Sequence, residues 1–253
     1  VARLKTLSPS RISTFLACPV KYRWTYEDGR GRLYLKARAS YSFGTTLHRV
    51  LETFHRVGQE GVPPTDQVMA EYEESWISAG FSSQEEMSEA FGEGKAILER
   101  YAEELRSEPV LPTTLFVEKT LSHPYDRFKL LGRLDRVDER PDGTLEVVDY
   151  KTGRSRLTPE DVQGDLAMGV YQLLLKKHYP DRPVCATLVA LRSGERATYG
   201  MTDSELADFE RDLLVVCHWI LEADWHDFVP RRKPLCDSCD FVPLCRRHED
   251  YES

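Results

Sequence analysis

Two runs of alternating apolar residues, Phe128–Glu139 and Thr144–Lys151, flank the tripeptide Pro141-Asp142-Gly143. Proline presets the first central position of a type I turn, and glycine accepts the left-handed position that follows. The pattern predicts a β-hairpin with a three-residue loop and a bulge. That loop pairs Arg140 with Thr144, and counting back along both strands sets Asp135 opposite Asp149. A two-residue loop would pair Asp149 with Arg136 instead. In the first register two carboxylates face each other with Cβ atoms roughly 5 Å apart, an arrangement that destabilises a sheet. The Val147-Val148 pair marks the second strand as buried, where unpaired charge is costly.

A divalent cation between the two carboxylates removes that repulsion, and hard ions such as Mg²⁺ or Mn²⁺ favour oxygen ligands. Lys151 lies two residues past Asp149, on the same face of its strand. A lysine beside such an ion orients or helps deprotonate water and stabilises phosphate charge. The bland alternative is a surface hairpin with scattered charges.

The flanking sequence reads as helices, then strands, then both. Ser8-Pro9 opens a helix with Ile12, Phe15 and Leu16 on one face, and Pro19 redirects it. Asp28–Arg38 reads as a basic loop. Thr45–His55 is an amphipathic helix, and two acidic helices follow near Asp66–Ala79 and Gln84–Ser107. The charge between Glu71 and Glu104 reads as a solvated face. Thr114–Ser122 is a strand-like run in which Leu115-Phe116-Val117 leads to Glu118. Pro159–His178 reads as one helix, Val184–Arg192 and Ala197–Gly200 as strands, and Thr202 caps a helix to about Asp224. This order predicts an α/β core with a helical N-terminal region and a cysteine-rich C-terminal tail. The absence of a clear linker predicts a single domain over residues 1–253.

Composition narrows the function classes. Hydrophobic residues make up 41% of 253 and charged residues 30%, ordinary values for a globular chain. The net charge of −8, from 34 basic and 42 acidic residues, argues against a passive nucleic-acid coat but not against an enzyme with a local basic channel. No apolar run reaches the roughly 18 residues of a membrane span, and no secretory leader opens the chain, so a cytoplasmic, reducing compartment is expected. There six cysteines point to metal binding rather than disulfides. Cys236, Cys239 and Cys245 crowd together and need a fourth ligand. His248 would complete a zinc site, and Cys18 an all-cysteine site suited to an iron–sulfur cluster. Cys185 and Cys217 read as buried structural thiols.

Gly132-x-x-Asp135 followed by Asp149-Tyr150-Lys151-Thr152-Gly153 resembles the RecB-type branch of the PD-(D/E)XK nuclease superfamily, and the likeness extends from Ser8 to Arg246. It implies a restriction-endonuclease-like core, a mixed central sheet flanked by helices, over residues 44–224 with a helical insertion at about 65–108. It implies catalytic roles for Asp135, Asp149 and Lys151, with the Tyr150 main-chain carbonyl as a further metal ligand. Gly44-x-x-x-His48 is similar to the family's histidine element, so His48 would join the metal site; alone, it reads as a partly buried helix residue. Glu118 would be auxiliary, or a strand-edge charge.

The family's Gln-x-x-x-Tyr helix is matched at Tyr171, whereas Ala167 occupies the glutamine position and Gln172 points about 100° away. The departure weakens the implied DNA contact, and Tyr171 also fits a core aromatic. Leu16-Ala-Cys18-Pro19-x-x-Tyr22 and the trailing cysteines resemble AddB-type subunits and CRISPR-adaptation nucleases. That likeness implies a structural 4Fe-4S cluster on Cys18, Cys236, Cys239 and Cys245, built from residues 8–27 and 225–248.

The implied activity is Mg²⁺- or Mn²⁺-dependent hydrolysis of DNA, as a single-stranded exonuclease in repair, recombination or end processing. Two alternatives remain: a CRISPR-adaptation nuclease acting with an integrase, and a non-catalytic DNA-binding module of the same fold. The chain has no P-loop, so a helicase or a recombination protein would be a separate partner. Arg30, Arg32, Tyr34, Lys36 and Arg38 are expected at the DNA channel, with Tyr34 and Tyr41 as stacking aromatics. An ordinary basic surface loop is the competing reading.

Overall fold

A computed structural model describes residues 4–56, 61–153 and 156–251. In chain order its first elements are β1 (Lys5–Leu7), α1 (Pro9–Ala17), α2 (Pro19–Tyr22), α3 (Ala39–Phe54), α4 (Thr65–Ser75) and α5 (Gln84–Ser107). Then come β2 (Thr113–Pro124), β3 (Phe128–Glu139), β4 (Leu145–Lys151), α6 (Pro159–Gln163) and α7 (Leu166–His178). The last are β5 (Val184–Ala190), β6 (Arg196–Tyr199), α8 (Asp203–Glu222) and α9 (Val242–Cys245). The chain forms two compact units, one of residues 1–36, 125–130 and 208–253, the other of residues 37–124 and 131–207.

The larger unit is a mixed sheet flanked by helices. Strand β3 pairs antiparallel with β4, β4 parallel with β5, β5 antiparallel with β6, and β2 also pairs with β3. The parallel step from β4 to β5 needs a crossover, which α6 and α7 supply. The β3–β4 hairpin has the predicted turn: Gly143 adopts φ +84° and donates its N–H to the Arg140 carbonyl at 2.9 Å. The register runs through Arg136↔Val148, so one further step sets Asp135 against Asp149. Apolar side chains at helical spacing on α3 (Leu47, Val50, Leu51, Phe54) pack with Leu98, Tyr101 and Leu105 of α5 and with Val148 and Tyr150 of β4. Helix α7, carrying Met168, Leu173 and Leu174 inward, packs on β4 and β5.

In the smaller unit Ser8 caps α1, accepting from the Arg11 N–H. Cys18 ends α1 and caps α2, the redirection expected of Pro19. Phe15 sits among the rings of Tyr22, Trp219, Trp225 and Phe228. Strand β1 pairs parallel with Phe128–Leu130. No helix among the described residues is long and apolar enough to cross a membrane.

Several elements differ from expectation for local reasons. Helix α3 starts at Ala39, ahead of Thr45, because Gly44 is not a breaker but a point of close approach, where a Cβ would lie 3.3 Å from Thr152 Oγ1. The helix expected over Pro159–His178 divides at Gly164-Asp165, where Asp165 accepts the Ala167 N–H at 2.8 Å and starts α7 afresh. The basic segment contains a 3₁₀ stretch at Gly29–Tyr34. The acidic helices are solvated on one side only, since Tyr72, Ile97, Leu98, Tyr101 and Leu105 are buried. Strand β2 runs from Thr113 to Pro124, one residue earlier and two later than the expected Thr114–Ser122.

Candidate functional site

The hairpin and α3 converge inside the larger unit. Asp135 Oδ2 accepts the Tyr150 N–H at 3.2 Å and lies 3.2 Å from His48 Nδ1. The other imidazole nitrogen, Nε2, lies 3.0 Å from the Tyr150 carbonyl oxygen. Both partners are acceptors, so only the protonated ring satisfies them together. Burial pulls the His48 pKa down, but the hydrogen bond and charge of Asp135, with Asp149 behind, overcome it and leave it raised.

Asp149 and Lys151 alternate with Tyr150 along β4 and so point away from the Tyr150 ring. Lys151 Nζ lies 2.8 Å from Asp149 Oδ2 and 3.6 Å from Asp165 Oδ2. Burial, followed by the charge of Asp135, pushes the Asp149 carboxyl up to about 6 against the pull of Lys151.

Glu118 completes the cluster. Its backbone adopts φ +47°, a left-handed conformation costing a non-glycine residue about 1–2 kcal/mol. His48, Glu118 and Asp135 offer ligand atoms that all lie within 4.8 Å of one another. Burial and then Asp135 raise the Glu118 pKa, opposed by the ion pair with Arg133. One imidazole and several carboxylates, crowded enough to hinder each other's ionisation, are a donor set that fits a divalent cation. Asp149, the other expected carboxylate ligand, pairs with Lys151 beside this trio.

The tyrosine from the departed motif packs on the hairpin. A Cβ on Gly132 would come within 2.9 Å of two ring carbons of Tyr171 and 2.8 Å of Leu174 Cδ1. Burial raises the Tyr171 pKa, and Asp149, Asp135, Asp165 and Glu118 add to it, so its hydroxyl shares their field. Gln172 is fully buried and accepts the Met201 N–H, away from the cluster.

Two features went unread in the sequence. Asp165 beside Lys151 is one, and Gly164-Asp165, a helix stop followed by a cap, was its signal. The other is a buried network behind β4: Arg136 donates to the hydroxyls of Tyr101 (2.9 Å) and Tyr150 (2.7 Å) and to His55 Nε2, and pairs with Asp138 at 3.1 Å. It anchors the tyrosine between Asp149 and Lys151. An arginine at a core position of a strand was its only sequence signal.

In the smaller unit, Cys18, Cys236, Cys239 and Cys245 line one cavity of about 340 Å³. Cys18 and Cys236 sulfurs accept N–H groups from Lys21 and Lys233, each at 3.4 Å. Burial pushes the Cys245 thiol up to about 11, and the neighbouring sulfurs of Cys18, Cys239 and Cys236 add to it. His248 is not among the lining residues, and its Nδ1 lies 3.5 Å from Asp250 Oδ2. Cys185 and Cys217 are buried, as expected.

The basic segment is divided. Arg30, Arg32, Tyr34 and Lys36 belong to the smaller unit, while Arg38, immediately before α3, belongs to the unit with the carboxylates. The side chain of Arg30 lies outside the described residues.

The profile of the PD-(D/E)XK nuclease superfamily matches residues 6–246. The "putative exonuclease" of Eubacterium rectale has a similar solved structure, with 14% identity, a TM-score of 0.52, and 98% of this chain and 90% of that chain covered. The structure of SSO0001 is 13% identical, with a TM-score of 0.37 over 98% of this chain and 89% of that one. No curated protein matches the sequence.

Proposed function

The chain belongs to the PD-(D/E)XK nuclease superfamily, and we propose that it is a Mg²⁺- or Mn²⁺-dependent exonuclease acting on single-stranded DNA in the cytoplasm, with both units serving one nuclease. The observation that carries this reading is the convergence of His48, Glu118 and Asp135 beside the Asp149–Lys151 pair. His48 in its neutral form, Asp135, Asp149 and the Tyr150 carbonyl would hold the ion, with Glu118 auxiliary, the ion replacing the proton that His48 otherwise shares with Asp135. When bound, the ion supplies Lewis-acid charge at a phosphate and makes water more acidic.

The chain's own residues do the rest. The Lys151 ammonium, fixed between Asp149 and Asp165, presents its remaining protons to the attacking water and a phosphate oxygen. The Arg136 network holds Tyr150, and with it the backbone between Asp149 and Lys151. Tyr171 adds a hydroxyl within the same field of carboxylates.

The four cysteines would hold a structural 4Fe-4S cluster. The observation in favour is that four thiols from the two ends of the chain line one cavity, with N–H donors aimed at the sulfurs of Cys18 and Cys236. Iron content after anaerobic purification should fall in C18S and persist in H248A. Zinc in place of iron, or iron lost only in H248A, would overturn the assignment.

The activity is tested on end-labelled linear and on circular single-stranded DNA with Mg²⁺, Mn²⁺ or EDTA. The wild type should degrade only the linear strand, and only with a divalent ion, and D135A and K151A should be inactive. Cleavage in EDTA, or by both purified variants, would sink the reading. Cutting of the circle would replace exonuclease with endonuclease.

A further inference from the structure

The cleft of about 550 Å³ that contains His48, Glu118 and Asp135 is also lined by Tyr41, Thr45 and Arg49 of α3. These three are spaced i, i+4, i+8, so they form one inclined ridge along the helix. All three are exposed, and Tyr41 keeps 68% of its surface accessible, so its ring face is open to a ligand in the cleft. Gly44 lines the same cleft between Tyr41 and His48. Seven helical steps separate Tyr41 from His48 by about 10 Å, the reach from a phosphate to a base about one or two nucleotides away. Among the described residues Arg49 has no ion-pair partner, so its guanidinium is available to a phosphate.

We propose that Tyr41, Thr45 and Arg49 form a track for a nucleic-acid strand with unpaired bases, with Tyr41 stacking on a base and Arg49 holding the backbone, so that the strand crosses His48 and Asp135. The proposal rests on the nuclease reading above and deepens it. Only a base freed from its partner can offer its face to Tyr41, so the ridge selects unpaired strands over duplex. Tyr41 is a positioning residue: it places the strand and takes no part in bond breaking.

The test uses the full chain and oligonucleotides of one sequence, single-stranded or duplex. With Mn²⁺, Y41A should raise KM for the single strand about 5- to 100-fold, with a much smaller fall in kcat, while Y41F stays near wild type. An abasic site stepped along the strand should impair the wild type at one position and cost Y41A nothing further there. R49Q should weaken binding for every sequence and flatten its salt dependence. A wild-type KM in Y41A, or an abasic penalty that persists in it, overturns the track. Binding by fluorescence anisotropy in Ca²⁺ separates the two readings. If the wild type cleaves nothing yet binds single strands more tightly than Y41A does, the track stands and the nuclease reading falls. Equal binding by both removes the track whatever the cleavage result.

Discussion

The ring of Tyr171 lies over Gly132 so closely that a methyl group there would come within 2.9 Å of two ring carbons. The glycine that begins the Gly-x-x-Asp pattern is therefore a seat for the aromatic of α7, an element that follows the hairpin in the chain. Gly132→Ala forces the ring and Leu174 aside, an overpacking that costs about 1–3 kcal/mol. It should lower the stability read by urea denaturation by that amount and reduce cleavage, because Tyr171 shares the field of Asp135 and Asp149. In the Y171A background the same G132A change should cost less than in the wild type, because only the Leu174 contact remains to be displaced. A G132A protein with wild-type stability would mean the ring does not rest there.

Glu118 carries its carboxylate at the expense of backbone strain. At φ +47° glycine is at ease and alanine is not. Both Glu118→Gly and Glu118→Ala remove the charge that burial and Asp135 already disfavour. The glycine variant should be the more stable of the two by roughly 1 kcal/mol. Both should have weakened divalent-ion affinity, read by titration calorimetry. Equal stabilities would indicate that the strand relaxes out of the left-handed conformation.

How much of this was legible in sequence depended on the range of each interaction. The hairpin was readable because Pro141, Asp142 and Gly143 fix its loop, and the loop fixes the register down to Asp135 and Asp149. His48 needed the family likeness, since a histidine on an amphipathic helix has no signature of its own. Glu118 was ambiguous because its role comes from a backbone twist that a run of apolar residues does not announce. The Arg136–His55–Tyr101 network joins residues 35 and 81 positions apart in the chain, and no local pattern records such a meeting. Asp165 hid inside an apparently continuous helical periodicity, where the Gly164 stop was outweighed by the residues around it.

His55 should make the fold sensitive to mild acid. Burial, then the charges of Arg136 and Arg196, hold its pKa well below 6.5, and Arg136 donates to its Nε2. The unfolded chain takes up a proton near pH 6.5 that the folded chain refuses. Stability from His55 is therefore full above that pH and is lost as pH falls toward the folded pKa, at up to about 1.4 kcal/mol per pH unit. His48 has the opposite sign, its raised pKa favouring the fold below pH 6.5. The comparison is thus of wild type with His55→Gln across pH 5 to 7 by urea denaturation. The variant should lose less stability than the wild type on acidification. Parallel curves would show that His55 takes up its proton as readily in the fold as in the unfolded chain.

Asp149 tests the cation directly, through stability rather than turnover. Its carboxyl is raised to about 6 by burial and by Asp135, so the folded state binds a proton more readily than the unfolded chain does. The sign follows: its contribution is most favourable below the unfolded value and is lost as pH rises through about 6. At pH 8 without divalent ions the ionised carboxyl is a burden, and Asp149→Asn should be more stable than wild type by about 1 kcal/mol or more. Near pH 4 that advantage should shrink. Saturating Mn²⁺ binds only the folded state and should stabilise the wild type by about 3 kcal/mol at a hundredfold excess over its dissociation constant. A neutral amide in place of the Asp149 carboxylate is a weaker ligand, so the order of stabilities should invert when the ion is added. Thermal denaturation of both proteins, with EDTA and with Mn²⁺ at pH 8, reads all four values. If Mn²⁺ shifts the two proteins equally, Asp149 does not take part in holding it.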